Sequence, residues 1–402
     1  MRNVVVVGAG QAGASLVAKL RGLGFTGGIT LIGEEHAPPY QRPPLSKKYL
    51  MGEMAVERLF LRPESFYAEN RIDLHLDETV NAIDRADRVV IAGGKALPYD
   101  ALVLTTGSVP RRLPGAIGGE LGGVHVVRSL RDVDEMAPGI RAGARVLVVG
   151  GGYIGLEAAA VCAGAGMQVT LVEMAPRILG RVAAPETSDY FRKLHRDHGV
   201  DLREGVGLTR LTGKDHVTGA ILSDGSELAL DMVIVGVGIT PATALAEAAG
   251  LTIDNGIAVD AQGRSSDPDI WAAGDCASFP YRGARIRLES VQNAIDQAET
   301  VAENIMGAGK DYVPQPWFWS DQYDVKLQIA GLNTGYDRVV VRPGAGASAS
   351  HWYYRGGTLL AVDAMNDPRA YMVGKRLIEA GKSPDPAVIA DPGADLKPLL
   401  EG

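Results

Sequence analysis

Two glycine runs stand where phosphate chemistry could be done: Gly8-Ala9-Gly10-Gln11-Ala12-Gly13 and Gly150-Gly151-Gly152-Tyr153-Ile154-Gly155. Each follows apolar β-formers, residues 4–7 and 146–149, and each opens a helical pattern. A pyrophosphate is held at a helix N-terminus, where unpaired N–H groups and the helix dipole favour negative charge. In such a run the first glycine permits the tight turn, the second lets the backbone approach the pyrophosphate, and the third packs helix on strand. An acid at the end of the next strand, Glu34 or Glu173, is placed to accept ribose hydroxyls. One such run is a weak signal. Two, each with strand, helix and acid, predict two dinucleotide sites, most simply a nicotinamide and FAD exchanging electrons.

Other side chains fit that chemistry. A carboxylate at Glu173 binds a free 2′-hydroxyl and repels a 2′-phosphate, which predicts NADH over NADPH. Arg177 and Arg181 follow it and read as partners of adenine or pyrophosphate. Asp275 ends an apolar strand (270–273) at the carboxyl edge of the sheet, where its carboxylate could take a ribitol hydroxyl; the alternative is a turn acid capping the next segment. A helix starting at Ser290 offers N–H groups near Val291 to a flavin's N1–C2=O edge, and reads equally as an amphipathic helix with a serine cap. Lys47 beside flavin N5 would need a carboxylate partner, for which Glu157 is the natural candidate; taken by itself Lys47 reads first as a solvated lysine.

The elements that position these residues repeat. Residues 3–33 read strand, helix, strand; a Pro-rich loop (38–44) and a short helix (45–51) follow. Small strands occupy 80–107 around a Gly93-Gly94 turn, and a buried strand (102–104) ends in Thr105-Thr106-Gly107. The pattern restarts at Arg145, closes on an apolar strand (232–238), and strand 270–273 and helix 290–306 return to the first unit. Past the prolines at 314 and 316, antiparallel strands are expected over 324–362 and a helix over 369–380. This predicts an α/β fold: a discontinuous FAD-binding domain (1–108 and 240–315), a NAD-binding domain (109–239), and a C-terminal interface domain (316–402).

Composition narrows the class. A length of 402 residues suits two or three domains, and a net charge of −8 argues against general nucleic-acid binding. No apolar stretch is long enough to span a bilayer, and the chain runs straight into its first strand without a signal peptide, so a cytoplasmic protein is expected. Only Cys162 and Cys276 occur, in no C-x-x-C pair, so a redox-active disulfide is not expected. His195 and His198 share a helix face without a third ligand, which predicts a solvated face and no metal.

Arg-Pro-Pro-Leu-Ser-Lys (42–47), Gly-Gly-Gly-Tyr-Ile-Gly-Leu-Glu (150–157), Gly-Asp-Cys-Ala (274–277), Glu-Ser-Val-Gln-Asn-Ala (289–294) and Pro-Trp-Phe-Trp-Ser-Asp-Gln (316–322) together resemble the oxygenase-coupled ferredoxin reductases of the putidaredoxin reductase and palustrisredoxin reductase type. The resemblance implies two Rossmann-like dinucleotide-binding domains, glutathione-reductase-like, plus a C-terminal α+β domain. It implies an FAD enzyme that oxidises NADH and reduces a [2Fe-2S] ferredoxin serving a cytochrome P450 or a ring-hydroxylating oxygenase. By position it gives FAD contacts at Gly8, Gly10, Ala12, Gly13, Glu34, Arg42, Lys47, Val80, Thr106, Gly107, Arg128, Gly274, Asp275 and Val291. It gives NAD contacts at Gly150, Gly152, Ile154, Gly155, Glu157, Glu173, Arg181 and Gly238. Lys47 and Glu157 would hold the hydride-transfer environment, and Trp319 would lie at the flavin edge towards the ferredoxin, with Trp317 a core aromatic. Glu299 stands where relatives often place an arginine by the docking face, which acidic ferredoxins would not welcome.

Rival readings share the fold. An NADH oxidase, peroxidase or coenzyme A disulfide reductase needs a reactive cysteine near residues 40–50, and none is there. A membrane quinone reductase needs an apolar C-terminal anchor, which the Pro-, Asp- and Lys-bearing tail does not offer. An NADH:rubredoxin reductase differs only in its acceptor, and a low-turnover flavin redox sensor only in lacking fast NADH turnover.

Overall fold

The computed structural model describes residues 3–401. The chain packs into two compact units. Unit one comprises the stretch up to Arg42, Ala55–Val109 and Ile239–Pro314; unit two comprises Pro43–Met54, Pro110–Gly238 and Gln315–Gly402.

Unit one is built on a five-stranded parallel sheet in the order Ile270–Ala272, Ala101–Leu104, Asn3–Val7, Gly28–Ile32, Ile72–His75. The central strands Asn3–Val7 and Ala101–Leu104 are runs of Val and Leu buried on both faces, as inner parallel strands require, whereas the edge strand Ile72–His75 leaves Asp73 exposed. Helix Gln11–Gly22 buries Leu16, Val17 and Leu20 on one face, beside helix Val291–Ile305, whose Ala294, Ala298, Val301 and Ala302 join the same core. Full burial of each such Leu or Val contributes roughly 1.5–3 kcal/mol. The other face carries an antiparallel layer, Val80–Asp84, Val89–Ala92 and Lys95–Pro98, that reverses at Gly93 and Gly94, both at positive φ (53° and 77°) as a tight hairpin turn demands. Strand Ile270–Ala272 pairs with Ala101–Leu104 although the second dinucleotide motif lies between them in sequence.

Unit two repeats the plan: parallel strands Asp201–Glu204, Gln168–Glu173, Arg145–Val149, Met232–Val235 and Val124–His125, in that order, with helix Tyr153–Gly164 after the second glycine run. It also contains an antiparallel five-stranded sheet in the order Trp317–Gln322, Val325–Gly331, Thr358–Met365, Ala349–Arg355, Arg338–Pro343, with helix Pro368–Glu379 packed on it through Val373, Gly374 and Leu377. This is the α/β fold with an α+β C-terminal part.

Two local expectations change. The C-terminal sheet begins at Trp317 rather than at 324, because Tyr323 adopts φ +55° and turns the chain back between two paired strands. Residues 45–51 form no α-helix. Pro43–Ser46 is a 3₁₀ turn followed by irregular turns, in which Lys47 and Tyr49 N–H both donate to Pro44 O.

Candidate functional site

The first cradle lies in unit one. Gly8 has φ +113°, and a Cβ there would stand 2.2 Å from Thr105 O; a Cβ on Gly13 would stand 2.1 Å from Gly8 O. A Cβ on Gly10 meets nothing within 4 Å. The first and third glycines are therefore closed against backbone and the second faces open space, the arrangement a pyrophosphate at the helix N-terminus needs. Thr105 OH clamps the turn by donating to Gly8 O (2.8 Å). Gly274 (φ +84°) approaches Ala12 so closely that a Cβ would lie 3.1 Å from the alanine methyl, and its N–H donates to Gln297 Oε1 (2.9 Å). Asp275 accepts from Ser108 OH (2.9 Å), and Val291 is the first residue of its helix, capped by Ser290, whose Oγ accepts from Asn293 N–H. Thr106 OH donates to Ala242 O, and Ala242 N–H to Gly107 O. Val80 opens its strand half-buried. Arg42 pairs with Glu35 (2.6 Å), whose other oxygen accepts from Tyr40 OH; the neighbouring Glu34 is exposed after the strand end. These residues fit the adenine-ribityl dinucleotide that the sequence predicts here.

The second cradle, in unit two, has the same geometry. Cβ atoms on Gly150 (φ +107°) and Gly155 would stand 2.4 Å from Gly236 O and 2.0 Å from Gly150 O, whereas one on Gly152 meets nothing within 4 Å. Glu173 ends its strand and braces the loop, accepting from Gly151 N–H (2.7 Å) and Ala175 N–H (2.8 Å). Ile154 is 44 % exposed at the start of the helix, an apolar surface beside the open glycine. Gly238 sits at φ +101°, with the Arg181 guanidinium 3.6 Å from where its Cβ would be. Arg177 donates to Ser188 Oγ (2.6 Å) and Gly180 O, which ties loop to helix. Arg128 also belongs to unit two, placed just before a helix whose Ser129–Asp132 capping box takes the Arg128 N–H.

An ionic centre lies in unit two. The Lys47 ammonium is 3.3 Å from Glu157 Oε1 and 3.0 Å from Asp321 Oδ2, with its side chain 18 % exposed; it is not a solvated lysine. Glu157 is buried and accepts from Ser46 OH on Oε2 (2.9 Å) and Ser320 OH on Oε1 (2.7 Å). Burial pushes its carboxyl above the usual range, while Lys47, Ser320 and Ser46 pull it back. Asp321, Ser320 and Ser46 were not singled out from the sequence. The available signal was adjacency: Ser46-Lys47 lies within the motif at 42–47 and Ser320-Asp321 within the motif at 316–322. Strand alternation puts Trp317, Trp319 and Asp321 on one face of Trp317–Gln322, the two indoles 5.5 Å apart, and Trp317 packs against the C-terminal core. On the opposite face Phe318 rests on the ring of Tyr153, the first residue of the second-cradle helix (5.0 Å).

Three further expectations meet the structure. Glu299 is paired with Lys19 (3.3 Å), which also binds Glu303, so it is partly neutralised within unit one. His195 is fully buried, against the expectation of a solvated face: helix Pro185–Asp197 turns that residue inward, and burial holds its pKa down at about 4. Cys162 and Cys276 are both buried and unbridged, and burial pushes the Cys162 thiol up to about 12, so neither is poised as a thiolate. Among the described residues no helix is long and apolar enough to cross a membrane.

Known proteins share this arrangement. The pyridine nucleotide-disulphide oxidoreductase family matches residues 2–298 and the reductase C-terminal family matches 317–400. A ferredoxin--NAD(P)(+) reductase from a Sphingomonas species is 45% identical over 99% of this chain and 97% of its own. The reductase in a covalent putidaredoxin reductase–putidaredoxin complex superposes with a TM-score of 0.96 at 40% identity, covering 100% of this chain and 98% of that one. The ferredoxin reductase for the CYP199A2 system of Rhodopseudomonas palustris does so at 0.95 and 41%, covering 100% of both. With two cradles, a C-terminal sheet and likeness along its whole length, the chain belongs to the pyridine nucleotide-disulphide oxidoreductase family, in its putidaredoxin reductase branch of FAD- and NAD(H)-using oxidoreductases.

Proposed function

We propose that this chain is an NADH:ferredoxin reductase that delivers electrons to a [2Fe-2S] ferredoxin, which in turn serves a cytochrome P450 or a ring-hydroxylating oxygenase in the cytoplasm. Unit one holds FAD through Gly8, Gly10, Gly13 and Asp275, with the N-terminus of helix Val291–Ile305 available to negative charge on the flavin. The second cradle and Glu173 hold NADH, and Arg181 sits beside Gly238 to meet a phosphate. FAD, when bound, takes both reducing equivalents of NADH and passes them on singly. Lys47, held by Glu157 and Asp321, has its ammonium fixed in direction within unit two. Trp319 lies on the side from which the iron–sulfur protein is reached. The division into an FAD domain (1–108, 240–315), a NAD domain (109–239) and an interface domain (316–402) belongs to the same proposal.

One observation carries this reading: two open dinucleotide cradles and a clamped ammonium occur in a chain whose only two thiols are buried and unbridged. Electrons arriving from NADH therefore have no internal disulfide to enter and must leave for an external acceptor. The test is NADH-driven reduction of a panel of [2Fe-2S] ferredoxins, with rubredoxin, quinone and oxygen as controls. Saturable turnover with one ferredoxin, well above the controls, supports the reading; turnover confined to oxygen, quinone or rubredoxin overturns it.

A further inference from the structure

A chain of buried polar side chains runs from helix Pro185–Asp197 to the ionic centre, entirely within unit two. Ser320 OH donates to Glu157 Oε1 (2.7 Å), so its lone pairs face the Gln322 Nε2, which donates to it at 3.2 Å. Gln322 Oε1 then faces His195 Nε2 at 2.8 Å, and Tyr323 OH meets the other ring nitrogen at 3.2 Å. A charge acceptor at one end settles every donor in the series. Ser320 gives to Glu157, Gln322 to Ser320, His195 Nε2–H to Gln322, and Tyr323 OH to His195 Nδ1. The imidazole must be neutral with its proton on Nε2, which its lowered pKa of about 4 supports. Ser320, Gln322 and His195 are all completely buried, so water cannot replace a missing link.

We infer that His195 and Gln322 are positioning residues for Glu157: through Ser320 they aim a hydroxyl at Oε1 and keep the carboxylate ionised opposite Lys47. This rests on the role given to Glu157 above. Lys47 is the charged group that faces the carboxylate, with Ser46 and Ser320 its two hydroxyl donors. A bond to the ionised form lowers a carboxyl pKa, so loss of the Ser320 bond raises it. The series has one polarity and contains an amide, which does not exchange protons readily; it orients charge and carries no proton current.

The experiment uses the FAD-loaded enzyme. The carboxyl stretch of Glu157 is followed by infrared difference titration, the band being identified by its loss in Glu157→Gln, and flavin bleaching by NADH is followed anaerobically in single turnover. Gln322→Met and His195→Leu break the series with little change in volume. In both, the Glu157 midpoint should rise by about one pH unit, the worth of one hydrogen bond, and bleaching should slow about tenfold with the Kd for NADH within twofold. His195→Gln retains an N–H near the position of Nε2 and should recover most of the rate and the original midpoint. If Gln322→Met and His195→Leu do not fold, Ser320→Ala decides, since it removes the last link. An unmoved Glu157 midpoint in the breaking variants, or in Ser320→Ala, overturns the inference. Failure of the underlying reading looks different: Glu157→Gln itself would then bleach at the normal rate.

Discussion

Lys47 stands nearer to Asp321 than to Glu157, at 3.0 Å against 3.3 Å, although Asp321 lies 274 residues away in sequence. The buried carboxylate and the half-exposed one divide the work. Glu157 is fixed by two hydroxyls, and Asp321 holds the ammonium from the solvent side.

Replacing Asp321 by Asn should therefore affect chemistry more than folding. The carboxylate is 42 % exposed, so its pair with Lys47 contributes at most about 1 kcal/mol to stability. Loss of the second anchor frees the ammonium, and flavin reduction by NADH should slow roughly 3- to 10-fold at an unchanged KM. Stopped-flow bleaching together with a thermal melt measures both; a large drop in Tm with normal bleaching would contradict this assignment.

The two cradles allow a contrast inside one motif. Gly152 has φ −81° and empty space at its Cβ position, so Gly152→Ala should melt like the wild type while the KM for NADH rises about tenfold as the methyl enters the pyrophosphate space. Gly155→Ala puts a methyl 2.0 Å from Gly150 O, where backbone cannot yield, and should cost about 3 kcal/mol or more. Melting curves and NADH titrations of the pair separate the two roles.

Cofactor choice turns on Glu173. In Glu173→Arg the charge that repels a 2′-phosphate is reversed, and the kcat/KM ratio should move towards NADPH by roughly 10- to 100-fold. The same change removes the acceptor of Gly151 and Ala175 N–H, so a Tm decrease should accompany it. Unchanged selectivity would remove Glu173 from the ribose site.

Asp363 is fully buried in unit two, accepting from Tyr353 OH and Thr187 OH, and burial raises its pKa to about 6 from 3.8. The folded state thus binds this proton more tightly than the unfolded chain. The resulting stabilisation is complete below pH 3.8 and is lost as pH rises through about 6. Relative to Asp363→Asn, the wild type should lose about 2 kcal/mol of unfolding free energy between pH 4 and pH 7. Urea unfolding of both proteins at several pH values gives the difference; a flat difference would mean that the carboxyl is not shifted.

Trp319 shares a strand face with Asp321 and is only half-buried. Trp319→Ala should slow ferredoxin reduction several-fold more than ferricyanide reduction, since a small oxidant needs no docking surface. Equal losses with the two acceptors would make the indole structural.

Much of the fold was legible because its signals are local. Strand, glycine turn, helix, strand and acid fall within about 30 residues, and each glycine's task follows from steric limits on one turn. The Gly93-Gly94 hairpin was readable for the same reason. Where the chain turned against expectation, one cause was also local but quieter: Tyr323 at positive φ closes a hairpin that brings Trp317–Gln322 into the C-terminal sheet.

The amino-acid sequence by itself determined that this chain has two phosphate cradles and no thiol pair, because both facts reside in short stretches or in a count of residues. Only the tertiary structure decided what surrounds Lys47 and Glu157. Asp321, Ser320, Ser46, Gln322 and His195 come from segments that meet solely through the packing of unit two, and polar contacts between distant segments leave no periodicity in the sequence. His195 shows the reason most plainly: its helical spacing indicates a face, and packing alone decides whether that face meets water or a buried glutamine.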